Sequence, residues 1–218
     1  FHFMGLGLAF FAVPHHQNYR LTPGPIFGVH LNWRMRRASE SDIVEMRSLG
    51  YDSVTIEEAK RDLERSKVAD EIIRSIEVAF AGVTLGEGVG LREAQGLDDY
   101  EDEATCAQYR EGDEKEDWSA ITSDQLNACN SSLSFFDAEG MRFHLPAYLI
   151  SDLRGEYNFE VDFSLTYLTQ QCREQYSLFS REQRAVVRTY LLFLREDPEY
   201  GFERPSIERA LRVFWTSG

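Results

Sequence analysis

Apolar residues recur at three- and four-residue spacing along most of this chain, and that period assigns helices before anything else is considered. Ile56, Ala59 and Leu63, followed by Ala69, Ile72, Ile73, Ile76 and Phe80, keep the period from Thr55 to Gly82. One long helix is expected there, or two with a stagger near Ser66. The glycines of LGEGVGL then break the run, and a short helix is expected over Leu91 to Leu97. Thr122 with Gln125 forms a capping-box pattern that opens a short helix ending near Cys129. Farther on, Leu165, Leu168, Cys172 and Phe179 mark one stripe. Ser180 with Gln183 repeats the capping signal ahead of Val186, Val187, Tyr190, Leu191 and Leu194. Asp197-Pro198 stops that run, and Pro205 opens a last helix with Ile207, Ala210, Leu211 and Phe214 on one face.

One stretch departs from this period. In SSLSFFDAEGMRFHLPAYLISDL, Leu133 and Phe135 alternate with Ser134 and Phe136. After Asp137-Ala138-Glu139-Gly140, Met141, Phe143 and Leu145 alternate with Arg142 and His144. Alternation on both sides of a four-residue connection ending in Gly predicts a two-stranded β-hairpin over about 132–145, with Pro146 in the first turn of a following helix. The expected fold class is therefore mainly α: six to eight helices with one small hairpin leaning on them. Residues 51–218 read as a single helical domain. Residues 1–50 read as an extended, irregular arm, carrying Pro14, Pro23 and Pro25 and the basic cluster Arg34, Arg36 and Arg37. The opening FHFMGLGLAFFAV lacks a basic flank and is too short for a membrane span, so it is assigned to the arm, and Met35 is expected to bound a dispensable extension.

Charge adds the one strong functional signal. The 218 residues carry a formal net charge of −14, with 43% hydrophobic and 13% aromatic residues, enough for a packed core. From Asp98 to Asp117 ten acids face Arg110 and Lys115, a local net of −8. Such a field repels nucleic-acid phosphates and anionic lipids and favours a basic protein partner. Asp98, Asp99, Asp113, Glu114 and Asp117 are the expected partner-binding residues, and Trp118 with Tyr100 and Tyr109 is expected to pin the segment to the core. Three separated cysteines, Cys106, Cys129 and Cys172, suit neither a disulfide framework nor a structural zinc site, and point to a reducing cytoplasm.

Other chemistry is weaker. Arg142 and His144 form a lesser candidate site, since a histidine beside an arginine could bind an anion; the strand reading turns His144 outward or to an edge, as a structural residue. His15-His16 in the proline-rich arm is a poor metal pair. The GEGVG loop follows a helix, lacks Gly-Lys-Ser/Thr and holds Glu87 where a phosphate would sit, so it reads as a helix-to-helix turn. No cofactor is expected. Asp98, Asp113 and Asp117, with His144 nearby, would suit a hard metal ion only if they converged in space.

The segments GVTLGEGVGLREAQGLDDY, REGDEKEDW, LSFFDAEGMRFHLPAYL and ALRVFW together resemble a bacterial family, domain of unknown function 6714, over about residues 72–215. The resemblance implies a small cytoplasmic bacterial domain and carries over no catalytic residue. The resulting expectation is a non-catalytic protein acting through its acidic surface, in the manner of an immunity or inhibitor protein. The alternatives are a carboxylate-metal-dependent hydrolase, and a structural protein self-associating through its basic arm.

Overall fold

A computed structural model describes residues 35–216. Of the expected arm over residues 1–50, residues 1–34, with His15-His16, lie outside the described residues. Ten α-helices follow one another among the described residues: α1 (Glu40–Ser48), α2 (Ser53–Ala79), α3 (Leu91–Asp98), α4 (Glu103–Glu111), α5 (Ser123–Ala128), α6 (Ala138–Leu153), α7 (Val161–Thr166), α8 (Gln170–Gln175), α9 (Arg181–Arg195) and α10 (Arg204–Val213). Short 3-10 turns occupy Trp118–Ala120, Ser132–Ser134 and Pro198–Tyr200.

Local chemistry explains most of these boundaries. Asp52 accepts the Val54 and Thr55 N–H groups that open α2, which then runs unbroken for 27 residues. Ser66, where a stagger was conceivable, turns its hydroxyl back to the Asp62 carbonyl and the helix continues. Thr122 with Gln125 and Ser180 with Gln183 form capping boxes as expected. Before α1, Arg36 pairs with Asp62 at 3.5 Å and Arg37 pairs with Asp70, so both guanidiniums lie against α2.

The expected β-hairpin over 132–145 does not form, and no strand occurs among the described residues. Ser132–Ser134 is a 3-10 turn, and Asp137 caps α6 by accepting the Gly140 N–H at 2.8 Å. Gly140 therefore lies in the first turn of a helix, where its role is close approach: a Cβ there would lie 2.5 Å from the Val89 carbonyl oxygen. Pro146 is likewise the ninth residue of α6, not its first turn. It has no N–H to return to the Arg142 carbonyl, and α6 continues past it because packing encloses it.

That packing is the organising feature of the fold. Thirteen of the sixteen residues of α6 are buried, on all sides of the helix. A helix apolar all round belongs at the centre of a bundle. Around it pack α2, α5, α7 and α8. Long-range side-chain bonds lock the layers. Trp118 Nε1 donates to the Phe80 carbonyl, Gln175 Nε2 to those of Leu133 and Phe136, and Trp215 Nε1 to that of Leu165. The stripe expected from Leu165 to Phe179 is split into α7 and α8 at Tyr167–Thr169, with Tyr176, Phe179 and Trp215 stacking edge to face behind it.

Candidate functional site

The acidic segment is ordered as a helical hairpin, α3 against α4. Gly96 allows the approach, since a Cβ there would meet Tyr109 at 3.0 Å and Cys106 Sγ at 3.3 Å. After α3 the chain reverses by a Schellman turn: Glu101 N–H donates to the Gly96 carbonyl at 2.9 Å and Tyr100 N–H to that of Leu97 at 3.4 Å. The left-handed position of such a turn normally holds Gly, and here it holds Tyr100 with φ 59°, the only non-glycine residue with positive φ among those described. Tyr100 is 95% exposed, so it does not pin the segment to the core; Trp118 does.

The five expected carboxylates play different parts. Asp113, 3% exposed at its side chain, accepts the N–H groups of Arg92 and Glu93 and the Arg92 Nε–H. It thus caps the N-terminus of α3 from the far side of α4. Glu114 accepts the backbone N–H groups of Lys115, Glu116 and Asp117 with one oxygen, and those bonds hold its carboxyl below the usual range. Asp117 caps the 3-10 turn that starts at Trp118 by accepting from the Ser119 hydroxyl and N–H, which lowers its pKa as well. Asp99 accepts only from the Gln95 side chain, at 3.2 Å, and lies exposed beside Tyr100, while Asp98 ends α3 half-buried.

Arg110 turns inward, donating to the Gly88 carbonyl at 2.7 Å and to Glu93 at 3.2 Å, with Glu87 3.5 Å away, while Arg92, its side chain half exposed, clamps Asp113. The outer surface is left with the exposed acids Asp99, Glu101, Asp102 and Glu103 on one side of α4, and Glu111, Glu114, Glu116 and Asp117 on the other. Half-buried Lys115 and half-exposed Arg92 are the basic residues beside them.

The glycine loop positions this hairpin. A Cβ at Gly88 would lie 2.6 Å from the Gly140 nitrogen, and one at Gly90 would lie 2.3 Å from Asp113 Oδ2. Asp137 accepts the Val89 N–H as well as that of Gly140. The loop is a close-packed joint between α2 and α3, set against the start of α6.

His144 lies beneath that joint, fully buried and not at an edge as the strand reading had placed it. Its ring lies flat on Phe136, 4.4 Å between centroids and 3° between planes, with Phe143 edge-on. Nδ1 lies 2.8 Å from the Gly140 carbonyl and donates to it, and Nε2 has no hydrogen-bond partner among the described residues. Burial holds the imidazole neutral, its pKa lowered to about 4. Arg142 precedes it, with a buried Nε that also lacks a hydrogen-bond partner among the described residues. No group of three or more His, Cys, Asp or Glu among the described residues could hold a metal ion, so Asp98, Asp113, Asp117 and His144 are not assembled into one centre. None of the described helices is long and apolar enough to cross a membrane.

Tyr100 is the residue that sequence reasoning missed as a surface feature, because an aromatic side chain normally signals burial and nothing in the local sequence marks a left-handed backbone. A family model described as "Family of unknown function (DUF6714)" matches residues 68–218. No curated protein and no solved structure matches the chain.

Proposed function

We propose that this chain, which belongs to the DUF6714 family, is a non-catalytic cytoplasmic protein that docks a basic protein partner on the acidic surface around α3 and α4. The observation that carries this reading is Tyr100: an aromatic ring almost wholly in water, on a left-handed backbone, amid exposed carboxylates from which Arg110 turns inward. A non-glycine residue in that conformation costs about 1 kcal/mol, and a ring 95% exposed adds almost no burial to offset it. Tyrosine is a frequent anchor at the centre of interfaces, and a one-signed rim speeds and selects the encounter with an oppositely charged face. Masking the basic surface of a nucleic-acid-acting partner, as an immunity or inhibitor protein does, is the role this complementarity suits. The free thiols of Cys106, Cys129 and Cys172 support a reducing compartment.

Asp113 belongs to the scaffold, so the test uses carboxylates that cap nothing. The immobilised chain is exposed to lysate of its source cells at low salt, beside a Glu101→Lys, Glu111→Lys, Glu116→Lys variant and a Tyr100→Gly variant. The wild type is expected to retain a basic protein that both variants lose, while Tyr100→Gly raises folding stability by up to about 1 kcal/mol. Equal retention of that protein by the charge-reversed chain would sink the reading.

A further inference from the structure

We propose that the groove between α2 and α9 is a docking track for a basic amphipathic helix of a partner protein, separate from the α3–α4 surface. The two helices run antiparallel and are pinned at both ends of the track. Gln183 Nε2 donates to the Ala79 carbonyl at 3.2 Å, and Arg65 meets Asp197 at 2.7 Å. The pins are separated by the same number of positions on each side, 65 to 79 and 183 to 197, which is about 20 Å of helix. Along it lie two adjoining cavities of about 660 and 820 Å³ that share Glu71 and Ser75.

The floor is apolar, from Val68, Ile72 and Val78 of α2 and Ala185, Val186 and Leu192 of α9. Val78 is 79% exposed and Val68 47%, although both lie on a helix whose other face is core. Small residues at Ser75, Ala79 and Ala185 leave room for a helix backbone to come close. The rims carry Glu64, Glu71, Glu182 and Glu196. Of the two arginines on the lining, Arg65 is held by Asp197 and lies over the Phe193 ring; Glu64 and Glu196 pair with Lys67 and Arg195, which leaves Glu71 and Glu182 against Arg74. A helix of about fourteen residues with apolar anchors at i, i+3 or i+4, i+7 and i+11 matches the length and the floor, and basic flanks match the rims. A second copy of the chain fits poorly, since it brings a net charge of −14 to an acidic rim.

The test uses the full chain and three fluorescent, helix-stabilised peptides of about eighteen residues. They share one leucine stripe and differ in rim: Lys and Arg, Glu, or the basic composition scrambled. Fluorescence anisotropy is expected to show the basic peptide binding at least about tenfold more tightly than the other two, and weakening with salt. Val78→Glu and Ala185→Arg, both at exposed positions, are each expected to lower that affinity by about tenfold with the thermal midpoint unchanged. Binding that ignores the rim charge, or survives both substitutions, overturns the proposal. So does a dimer in sedimentation that Val78→Glu dissociates, which assigns the groove to a second copy, or tighter peptide binding once residues 1–34 are removed, which assigns it to that segment. The Glu101, Glu111 and Glu116 charge reversal is expected to leave peptide binding intact, so the two interaction readings fail independently.

Discussion

Protonating His144 in the folded protein means placing a charge between Phe136 and Phe143 with a single carbonyl as partner. Asp113 and Asp137 act on it only through space, and their pull is smaller than the burial that lowers its pKa from 6.5 to about 4. The unfolded chain has no such restriction. Between those two values it takes up a proton that the folded chain refuses, so this contribution is intact above pH 6.5 and is lost as the pH falls toward 4. At pH 5.5 the loss from this one residue is about 1.2 kcal/mol relative to neutral pH. Urea unfolding of wild type and His144→Phe at the two pH values should show the variant less sensitive to acid by that amount. An identical acid response in both proteins would mean that the imidazole is not the group responsible. Tyr100 is the opposite case at the same scale: its strain is local, and its ring stays in water.

At the scale of elements, the helices most legible in the sequence are those whose ends are written in side chains. Thr122 with Gln125, Ser180 with Gln183, Asp197-Pro198 and Pro205 all mark boundaries that the fold keeps. α6 was illegible for the converse reason. A helix buried on every side has no polar face, so its 3.6-residue period vanishes, and the alternation of Met141, Phe143 and Leu145 then imitates a strand. The acidic surface was legible as charge but not as geometry, because nothing local in the sequence says that Asp113 turns in to cap a helix twenty residues earlier or that Arg110 turns away from the acids. Pairing of α2 with α9 is also non-local, and one contact gives it a sharp test. Asp197 is nearly buried and faces Arg65. Asp197→Ala leaves that guanidinium without its counter-charge and removes the cap on Glu199 N–H, so a loss of about 3–5 kcal/mol is expected in chemical denaturation. A loss below about 1 kcal/mol would place the pair among ordinary surface ion pairs and weaken the case for a rigid α2–α9 track.

For the molecule as a whole, the sign of the salt response follows from which charges are close and which are merely numerous. Close pairs such as Lys60 with Glu57, Lys67 with Glu64 and Arg195 with Glu196 are exposed, and each contributes little, which salt would remove. Against them stands the self-repulsion of a net charge of −14, concentrated on the α3–α4 surface. That repulsion acts over distances longer than about 8 Å, the screening length at physiological ionic strength, and so is the first term that added salt weakens. The closely bonded groups, Asp113 on α3 and Asp197 on Arg65, lie too near their partners to be screened in the same way. Added sodium chloride should therefore stabilise the isolated chain, raising its thermal midpoint by about 2–4 °C per kcal/mol of repulsion relieved, while it weakens any basic partner. A midpoint that falls as salt is added would show that local pairs outweigh the collective field, so that the acidic surface is not the unbalanced charge it is taken to be.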